Sequence, residues 1–285
     1  MKITVNAPAK INLYLDILGR REDGYHDVEM VMQTVSLCDT VTVTRTKHGN
    51  IHLTCSTPIP GPLKSNTAYL AAQAFFEHAN ICSSGIDIHI RKRIPICAGL
   101  AGGSADAAAV LNALNQLFDT NFSKNELAAL GEKIGADVPF CVHGGTMLAT
   151  GTGTTLEALP PMPKCYFVIV KPDIAISTKA AYEASAVSAS SKNTSSRDII
   201  SAITANNLQG VARSLYNRFE EVLAPKETEK IKFLLTQHGA LNACMSGSGS
   251  AVFGVFEDEL QANKCKEALS SHYDEVFLAE PVCFV

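Results

Sequence analysis

The stretch IPICAGLAGGSADAAAVLNAL, residues 94–114, joins a glycine-rich loop to the start of a helix. Before it, residues 86–90 alternate apolar and polar side chains, which is typical of a strand, and Pro95 marks the end of that strand. After it, apolar side chains recur at helical spacing at Val110, Leu111, Leu114, Leu117 and Phe118. The pattern therefore predicts strand, glycine loop and helix in that order, with Ser104 capping the helix.

This order of elements suits an anion such as a phosphate. The start of a helix presents unpaired backbone N–H groups and the positive end of the helix dipole, and glycines let an anion come close. The Walker A motif is excluded because Gly103 is followed by Ser104 without a lysine, and the dinucleotide pattern G-x-G-x-x-G fails after Gly99. The loop is either a third kind of phosphate site or a tight turn that needs glycine only for backbone freedom.

Composition restricts the class of protein. The chain has 285 residues, which suggests about two domains of ~150 residues each. Its net charge of −4 argues against binding to a nucleic-acid backbone, and its apolar runs are shorter than the ~18 residues of a membrane span. The nine cysteines form neither a C-x-x-C pair nor a zinc-ligand spacing. We therefore expect a cytoplasmic protein with reduced thiols that binds neither nucleic acid nor membrane and has no metal site of its own.

The first part of the chain alternates as strands do. Residues 2–18 predict two short strands interrupted at Pro8, because proline cannot donate a ladder hydrogen bond. Residues 28–36 and 41–46 predict two more strands, with a turn at Asp39 between them.

Five side chains in the first half are candidate functional residues. Lys10 and Asn12 lie opposite the apolar side chains of their strand, where they are either solvated or part of a site. Tyr25 and His26 end a charged turn, and either close a hairpin or offer a stacking surface and a hydrogen-bonding group. Asp137 follows the end of a predicted helix, where it is either a turn former or a functional carboxylate.

The second half contains a further glycine loop. The proline-rich residues 160–163 predict a boundary between a domain at 1–160 and a domain at 161–285. The second domain starts with a strand at residues 166–170 and a helix that contains Tyr182. Its glycine loop consists of Gly247, Ser248 and Gly249. The order of its elements resembles a split βαβ layout, and two glycine loops, one per domain, suit a ligand held in a cleft between the domains.

Three motifs carry a resemblance to a known family. PAKINLYL at residues 8–15, PICAGLAGGSADAA at 95–108 and CMSGSGSAVFG at 244–254 together resemble the motifs of the GHMP small-molecule kinases. The resemblance implies an α+β, two-domain GHMP kinase fold, with an N-terminal mixed-sheet nucleotide-binding domain and a C-terminal ferredoxin-like domain. It also implies an active site in the cleft between the domains, ATP as phosphoryl donor, and Mg²⁺.

The same resemblance implies roles for individual residues. The ATP phosphates would lie along a loop formed by Pro95, Ile96, Cys97, Ala98, Gly99, Leu100, Ala101, Gly102, Gly103, Ser104 and Ala105. Phosphoryl transfer also needs a cation near the transferring group and a carboxylate beside the attacking hydroxyl. Lys10 would be that cation, and Asp137 would orient or deprotonate the hydroxyl.

The acceptor is implied by two further segments. The sequences GRREDGYH at residues 19–26 and GADVPF at 135–140 resemble the family members that phosphorylate a cytidine diphosphate-linked polyol. On this resemblance the cytosine would contact Tyr25, His26, Lys92 and Tyr182, and the polyol would contact Asn12 and Thr178. A monomer and a homodimer both fit the sequence.

One departure and two alternatives accompany the resemblance. Many family members have glycine where this chain has Ala101, and alanine disfavours a positive φ, so we expect the loop to follow a different path there. The first alternative is another GHMP kinase that acts on mevalonate, homoserine or a sugar, and the Tyr25 and His26 loop is the feature against it. The second is a nucleotide-binding regulator without catalysis, which could have lost Lys10 or Asp137.

Overall fold

The computed structural model describes residues 1–283 except 48, 59–60, 82–84, 175, 186–194 and 224, and of residues 178, 179 and 185 it describes the backbone alone. Two β-sheets and their helices form the described part of the chain. The predicted α+β class with a mixed first sheet is therefore confirmed.

The first sheet has seven strands, and the glycine-rich loop at residues 95–105, called the phosphate loop for its predicted role, follows one of these strands and leads into a helix that packs on the sheet. Its strands are β1 (Lys2–Arg20), β2 (His26–Thr46), β3 (Ile51–Cys55), β4 (Gly85–Arg91), β5 (Thr146–Gly151), β6 (Thr155–Ala158) and β8 (Tyr216–Asn217). Its helices are α1 (Thr67–Ala79), α2 (Gly102–Phe118), α3 (Lys124–Glu132) and α4 (Val138–His143). Helix α2 packs on β1 and β2, because its alanine-rich face allows close contact with the sheet.

The second sheet has four antiparallel strands in the order β11-β7-β10-β9. These strands are β7 (Tyr166–Lys171), β9 (Asn242–Met245), β10 (Val252–Phe256) and β11 (Glu275–Ala279). The helices of this half are α5 (Thr178–Ser185), α6 (Ser196–Thr204), α7 (Leu208–Arg213), α8 (Arg218–Leu223), α9 (Lys226–Gln237) and α10 (Glu259–Leu269). The first and third strands lie at the centre, with α9 and α10 packed on them, so the predicted ferredoxin-like layout is confirmed.

The first two strands are longer than predicted. Strand β1 is continuous through Pro8, because the register with β2 shifts between Pro8 and Lys10 and so accommodates the missing N–H group. Strand β2 is also continuous, and Asp39 lies within it, fully buried, instead of in a turn. Its carboxylate accepts hydrogen bonds from the backbone N–H groups of Arg93 (2.5 Å) and Ile94 (2.8 Å), which explains how a buried aspartate is tolerated.

The second half of the chain returns to the first sheet at two places. Strand β8 pairs with β1 in parallel, and Pro281 bridges to Val35 of β2. Beside that bridge, the N–H of Val282 donates to the carbonyl of Thr34 at 2.8 Å. One continuous apolar core includes residues of both sheets. The boundary at residue 160 therefore stays a prediction, since elements beyond it complete the first sheet.

The two glycine loops touch each other where the sheets meet. The Ser246 hydroxyl donates to the carbonyl of Gly99 at 2.9 Å and accepts from the N–H of Asn12 at 3.3 Å. The backbone N–H of Lys10 donates to the carbonyl of Leu100 at 3.1 Å, and that of Ala251 to the carbonyl of Ala98. The phosphate loop is thus held by β1 on one side and by the second glycine loop on the other.

Gly99→Ala is expected to destabilise the protein by about 3 kcal/mol, because the residue has φ +74° and the new Cβ would lie 2.0 Å from the carbonyl oxygen of Ser246. Urea unfolding would measure the change. Gly19→Ala is the matched control, since nothing lies within 4 Å of its Cβ position and we expect little change there. Equal unfolding free energies for the two variants would contradict the close contact between the loops.

Candidate active site

Two cavities have residues of the phosphate loop in their walls. The larger one has a volume of about 560 Å³ and is lined by Lys10, Asp137 and the second glycine loop. The smaller one has a volume of about 340 Å³ and is lined by residues 65–67, Lys92, 95–103 and Asp106. The residues common to both walls are Cys97, Gly99 and Ala101. A ligand that crosses the loop can therefore have one end in each cavity.

Helix α2 begins at Gly102, two residues before the predicted start. Its N-cap is Ala101, whose side chain makes no capping hydrogen bond, so the prediction that Ser104 caps the helix was wrong. Ser104 instead lies in the first turn and lines the larger cavity. The backbone N–H groups of that first turn have no capping side chain and are available to an anion.

Ala101 has φ +56°, so the expectation that alanine would avoid a positive φ was also wrong. Cys97 adopts φ +54° in the same loop. Each non-glycine residue in this region costs about 1–3 kcal/mol of local strain. The strain is outweighed because the hydrogen bonds from Lys10 to Leu100 and from Ser246 to Gly99 hold the two loop residues that precede Ala101.

The structure brings Lys10 and Asp137 together at the larger cavity. The ammonium group of Lys10 lies 3.9 Å from Oδ2 of Asp137 and donates to Oδ1 of Asn12 at 2.6 Å. Lys10 is only 4% exposed, whereas the side chain of Asp137 is 33% exposed. Asp137 immediately precedes α4, and its side chain makes no hydrogen bond that would cap this helix. Its carboxylate therefore faces Lys10 and the cavity.

The second glycine loop forms the wall beside Lys10. Gly247, Ser248 and Gly249 line the larger cavity, as the predicted site requires. Asn217, which sequence analysis missed, holds this loop: its buried amide donates to the carbonyls of Met245 (2.7 Å) and Gly247 (2.8 Å). The signal for Asn217 was weak, because a single asparagine outside any recognised motif is usually a surface residue.

An aromatic cluster lies at the larger cavity, which two of its members, Tyr182 and Phe219, line. The ring of His26 stacks on Tyr182 with centroids 5.1 Å apart, and Phe219 meets Tyr182 edge-on at 5.0 Å. Burial and the charge of Asp137 raise the pKa of Tyr182 to about 12, so its hydroxyl stays protonated. Tyr25, the residue before His26 in the chain, is 67% exposed. Nε2 of His26 is buried without a hydrogen-bond partner among the described residues, which leaves it available to a ligand.

The structure does not place the side chains of two residues that were predicted to contact the acceptor, Thr178 and Lys92, at the larger cavity. Thr178 begins α5, but its side chain lies outside the described residues. Lys92 lines the smaller cavity, while Tyr182 lines the larger one. Lys92 forms ion pairs with Asp39 and Asp106. This position does not support the prediction that Lys92 lies beside the acceptor base.

Asp39 and Asp106 were missed as site residues. Asp39 was interpreted as a turn former, and only the pairing of β2 shows that it is interior. Asp106 stands within a run of alanines on a helix that packs on a sheet, and a lone carboxylate on such a buried face is the signal that could have identified it.

Neither a cation cage nor a membrane segment was found in the described part of the chain. Within it, His, Cys, Asp and Glu side chains do not assemble in groups of three or more that could hold a metal ion. None of the described helices has the length and apolar character required to cross a membrane.

Comparison with known proteins matches both halves of the chain to one family. Residues 66–145 match the family model of the GHMP kinases N terminal domain, and residues 199–275 match that of the GHMP kinases C terminal domain. The 4-diphosphocytidyl-2-C-methyl-D-erythritol kinase of Clostridium botulinum (strain Eklund 17B / Type B) is 43% identical over 282 residues, covering 98% of this chain and 100% of that protein.

Comparison with solved structures leads to the same family. A crystal structure of 4-(cytidine 5'-diphospho)-2C-methyl-D-erythritol kinase matches with a TM-score of 0.84 at 32% identity, and the match covers 98% of this chain and 99% of the other. A homoserine kinase from Cytophaga hutchinsonii matches with a TM-score of 0.77 over 99% of this chain and 95% of the other, but at 19% identity it shows the fold alone. The three motifs, the two sheets and these relatives together show that the chain belongs to the GHMP kinase family.

Proposed function

We propose that this protein transfers the γ-phosphoryl group of ATP to the 2-hydroxyl of 4-diphosphocytidyl-2-C-methyl-D-erythritol, a step of the non-mevalonate route to isoprenoid precursors. The observation that carries the proposal is the pairing of Lys10 with Asp137 beside a glycine loop that separates two cavities. The relatives that share this chain over nearly its whole length are named for that reaction.

The donor nucleotide is assigned to the smaller cavity and the loop. Its nucleoside lies among residues 65–67 and 95–97, and its phosphates follow the loop to the start of α2. The free N–H groups and the dipole of the helix start stabilise negative charge there. Because Gly99 and Ala101 line both cavities, the γ-phosphate reaches the larger cavity while the nucleoside stays in the smaller one.

The transfer itself takes place between Lys10 and Asp137. The acceptor oxygen attacks the γ-phosphorus, the bond from that phosphorus to the bridging oxygen of ADP breaks, and the hydroxyl proton passes to Asp137. Lys10 stabilises the charge on the transferring group, and Asn12 keeps the ammonium in place through its 2.6 Å hydrogen bond. Asp137 contributes mainly by orienting the hydroxyl, since an aspartate is a weak base toward an alcohol.

Mg²⁺ enters with ATP as part of the substrate. It supplies charge neutralisation at the β- and γ-phosphates, and enzymes of this chemistry usually bind it through one or two carboxylates plus the phosphates. Asp137 and Ser104 both line the larger cavity and are the described residues suited to that contact. A separate metal cage in the protein is not required.

The acceptor base is assigned to the aromatic cluster. Tyr182 and His26 already stack on each other, and exposed Tyr25 is adjacent in sequence. A cytosine that stacks here would gain about 1–3 kcal/mol, and the buried Nε2 of His26 would gain a hydrogen-bond partner. The polyol then points toward Asn12 and Asp137. These contacts favour a cytidylated acceptor over mevalonate, homoserine or a sugar.

Three broader proposals concern the compartment, the partners and the oligomeric state. The protein acts in the cytoplasm, where nine cysteines without paired spacing stay reduced. It binds no nucleic acid, since its net charge is −4. It acts as a monomer or homodimer, because both cavities are built from one chain.

The decisive assay measures ADP release and phosphorylated product from purified protein with MgATP and each of four acceptors: 4-diphosphocytidyl-2-C-methyl-D-erythritol, mevalonate, homoserine and galactose. Turnover is expected with the cytidylated acceptor alone. Turnover with another acceptor would replace the proposed substrate. Binding of ATP without any turnover would favour a regulatory protein.

Asp137→Asn is expected to lower kcat about 10²- to 10⁴-fold while changing the KM for ATP little, because the neutral amide orients the hydroxyl more weakly than a carboxylate and cannot accept its proton. Steady-state kinetics with both substrates would measure this split. Asp87→Asn is the matched control, since the side chain of Asp87 is 57% exposed on β4. Near-normal turnover of Asp137→Asn would show that Asp137 does not have the proposed role in the transfer.

Tyr25→Ala is expected to raise the KM for the cytidylated acceptor about tenfold and to leave the KM for ATP unchanged, because it removes one stacking surface for the base. Leu18→Ala serves as control, because Leu18 is a similarly exposed apolar side chain (62%) on the preceding strand. An unchanged acceptor KM in Tyr25→Ala would place the base elsewhere.

A further inference from the structure

One buried side chain makes hydrogen bonds to both the second glycine loop and the aromatic cluster. Asn217 is 2% exposed and lies in β8, where it pairs with Leu15 of β1. Its backbone is therefore anchored to the strand that carries Lys10 and Asn12. Leu15 lines the larger cavity, so this strand pair borders the site of the proposed transfer.

The amide of Asn217 uses both its protons and its oxygen. Nδ2 donates to the carbonyls of Met245 (2.7 Å) and Gly247 (2.8 Å). Oδ1 accepts from the N–H of Phe219 at 2.9 Å. Among short side chains, asparagine alone offers two donors on one atom and an acceptor beside it. One planar group thus keeps the second glycine loop and the start of α8 at a fixed separation.

The bond to Gly247 fixes the part of the loop that lies against Lys10. A Cβ atom at Gly247 would be 3.4 Å from Nζ of Lys10 and 3.0 Å from the carbonyl oxygen of Gly99. The strand end that leads into the loop is held as well, because the N–H of Met245 donates to Oε1 of Glu220 at 2.5 Å. A shift of this loop would therefore change the surroundings of the Lys10 ammonium.

The bond to Phe219 fixes one side of the aromatic cluster. An asparagine that accepts from an N–H group in the first turn of a helix acts as its N-cap, and α8 begins at Arg218. Phe219 is 1% exposed, lines the larger cavity and meets the ring of Tyr182 edge-on at 5.0 Å. Tyr182 in turn stacks on His26. The position of the surface assigned to the acceptor base therefore depends on the start of α8.

We propose that Asn217 is a positioning residue that sets the second glycine loop beside Lys10 and Phe219 against Tyr182, so that one side chain aligns the transferring phosphoryl group with the acceptor. This inference rests on the proposed function, which assigns the transfer to Lys10 and the acceptor base to the aromatic cluster. The described lining of the smaller cavity includes none of the three hydrogen-bond partners of Asn217. The site assigned to the nucleoside of ATP is therefore independent of this residue.

Asn217→Ala removes the hydrogen bonds to the loop and to the start of α8 together. We expect kcat to fall about 10²-fold, because a misplacement of about 1 Å near a reacting group has an effect of that size. The KM for the cytidylated acceptor is expected to rise several-fold, while the affinity for MgADP changes little. A purely structural role would lower the folded fraction and leave the acceptor KM of the folded protein unchanged.

The experiment combines steady-state kinetics for both substrates, with kcat referred to the folded fraction, and calorimetric titration with MgADP. Asn242→Ala is the matched control. The Nδ2 of Asn242 also donates to a backbone carbonyl, that of Ala212 at 2.7 Å, and its Oδ1 accepts from the N–H of Ala243 at 2.9 Å. Both partners lie outside the second glycine loop and the aromatic cluster, so we expect wild-type kinetics for this variant.

The outcomes separate this inference from the proposed function. If kcat or the acceptor KM of Asn217→Ala matches that of Asn242→Ala, the joint role of Asn217 is overturned and the proposed function stands. If wild type does not turn over the cytidylated acceptor, the proposed function is overturned and the inference with it.

A second measurement, on wild type, covers the case in which Asn217→Ala does not fold. Because the same amide binds the loop and the start of α8, a ligand that steadies the aromatic cluster must also steady the amide. Solvent exchange of the Nδ2 protons of Asn217, followed by ¹⁵N NMR with MgADP present, is expected to slow when 4-diphosphocytidyl-2-C-methyl-D-erythritol is added. An exchange rate that a saturating concentration of this acceptor leaves unchanged would overturn the inference.

Discussion

The contact between the two glycine loops is the constraint on which the site depends. Gly99 lies so close to Ser246 that only a residue without a side chain fits, and the Ser246 hydroxyl joins this loop to Asn12 of the first strand. Three segments that are far apart in sequence therefore meet within hydrogen-bond distance. Phosphoryl transfer depends mainly on positioning and on preorganised charge, so a loop held on both sides is what this chemistry needs.

Charge is arranged differently on the two sides of that loop. On the larger cavity, Lys10 is separated from Asp137 by 3.9 Å, a loose pair that leaves the ammonium able to engage a phosphate. On the smaller cavity, Lys92 is held directly by two carboxylates. Under the proposed function Lys10 takes part in the transfer, whereas Lys92 bonds to carboxylates on β2 and α2. The different degrees of exposure of Asp137 and Asp106 follow the same division.

Sequence reasoning succeeded where a pattern depends on neighbours in the chain. Alternation and helical spacing predicted the strand, loop and helix around residues 94–114, and the order of elements predicted the ferredoxin-like second sheet. It failed at Ala101 and at the start of α2, because local propensity disfavours a positive φ that tertiary hydrogen bonds impose. It also divided β1 at Pro8, since a register shift in the partner strand cannot be seen in one strand's sequence.

The sequence by itself determined the family, the two glycine loops and the identity of Lys10 and Asp137, because each depends on residue types in a short, ordered motif. Only the tertiary structure decided that Lys10 faces Asp137, that Lys92 belongs to the smaller cavity, and that Asp106 is buried with one oxygen unpaired. The physical reason is that distance, burial and charge balance arise between segments far apart in the chain. A motif specifies which groups are present, and packing sets their separation and protonation.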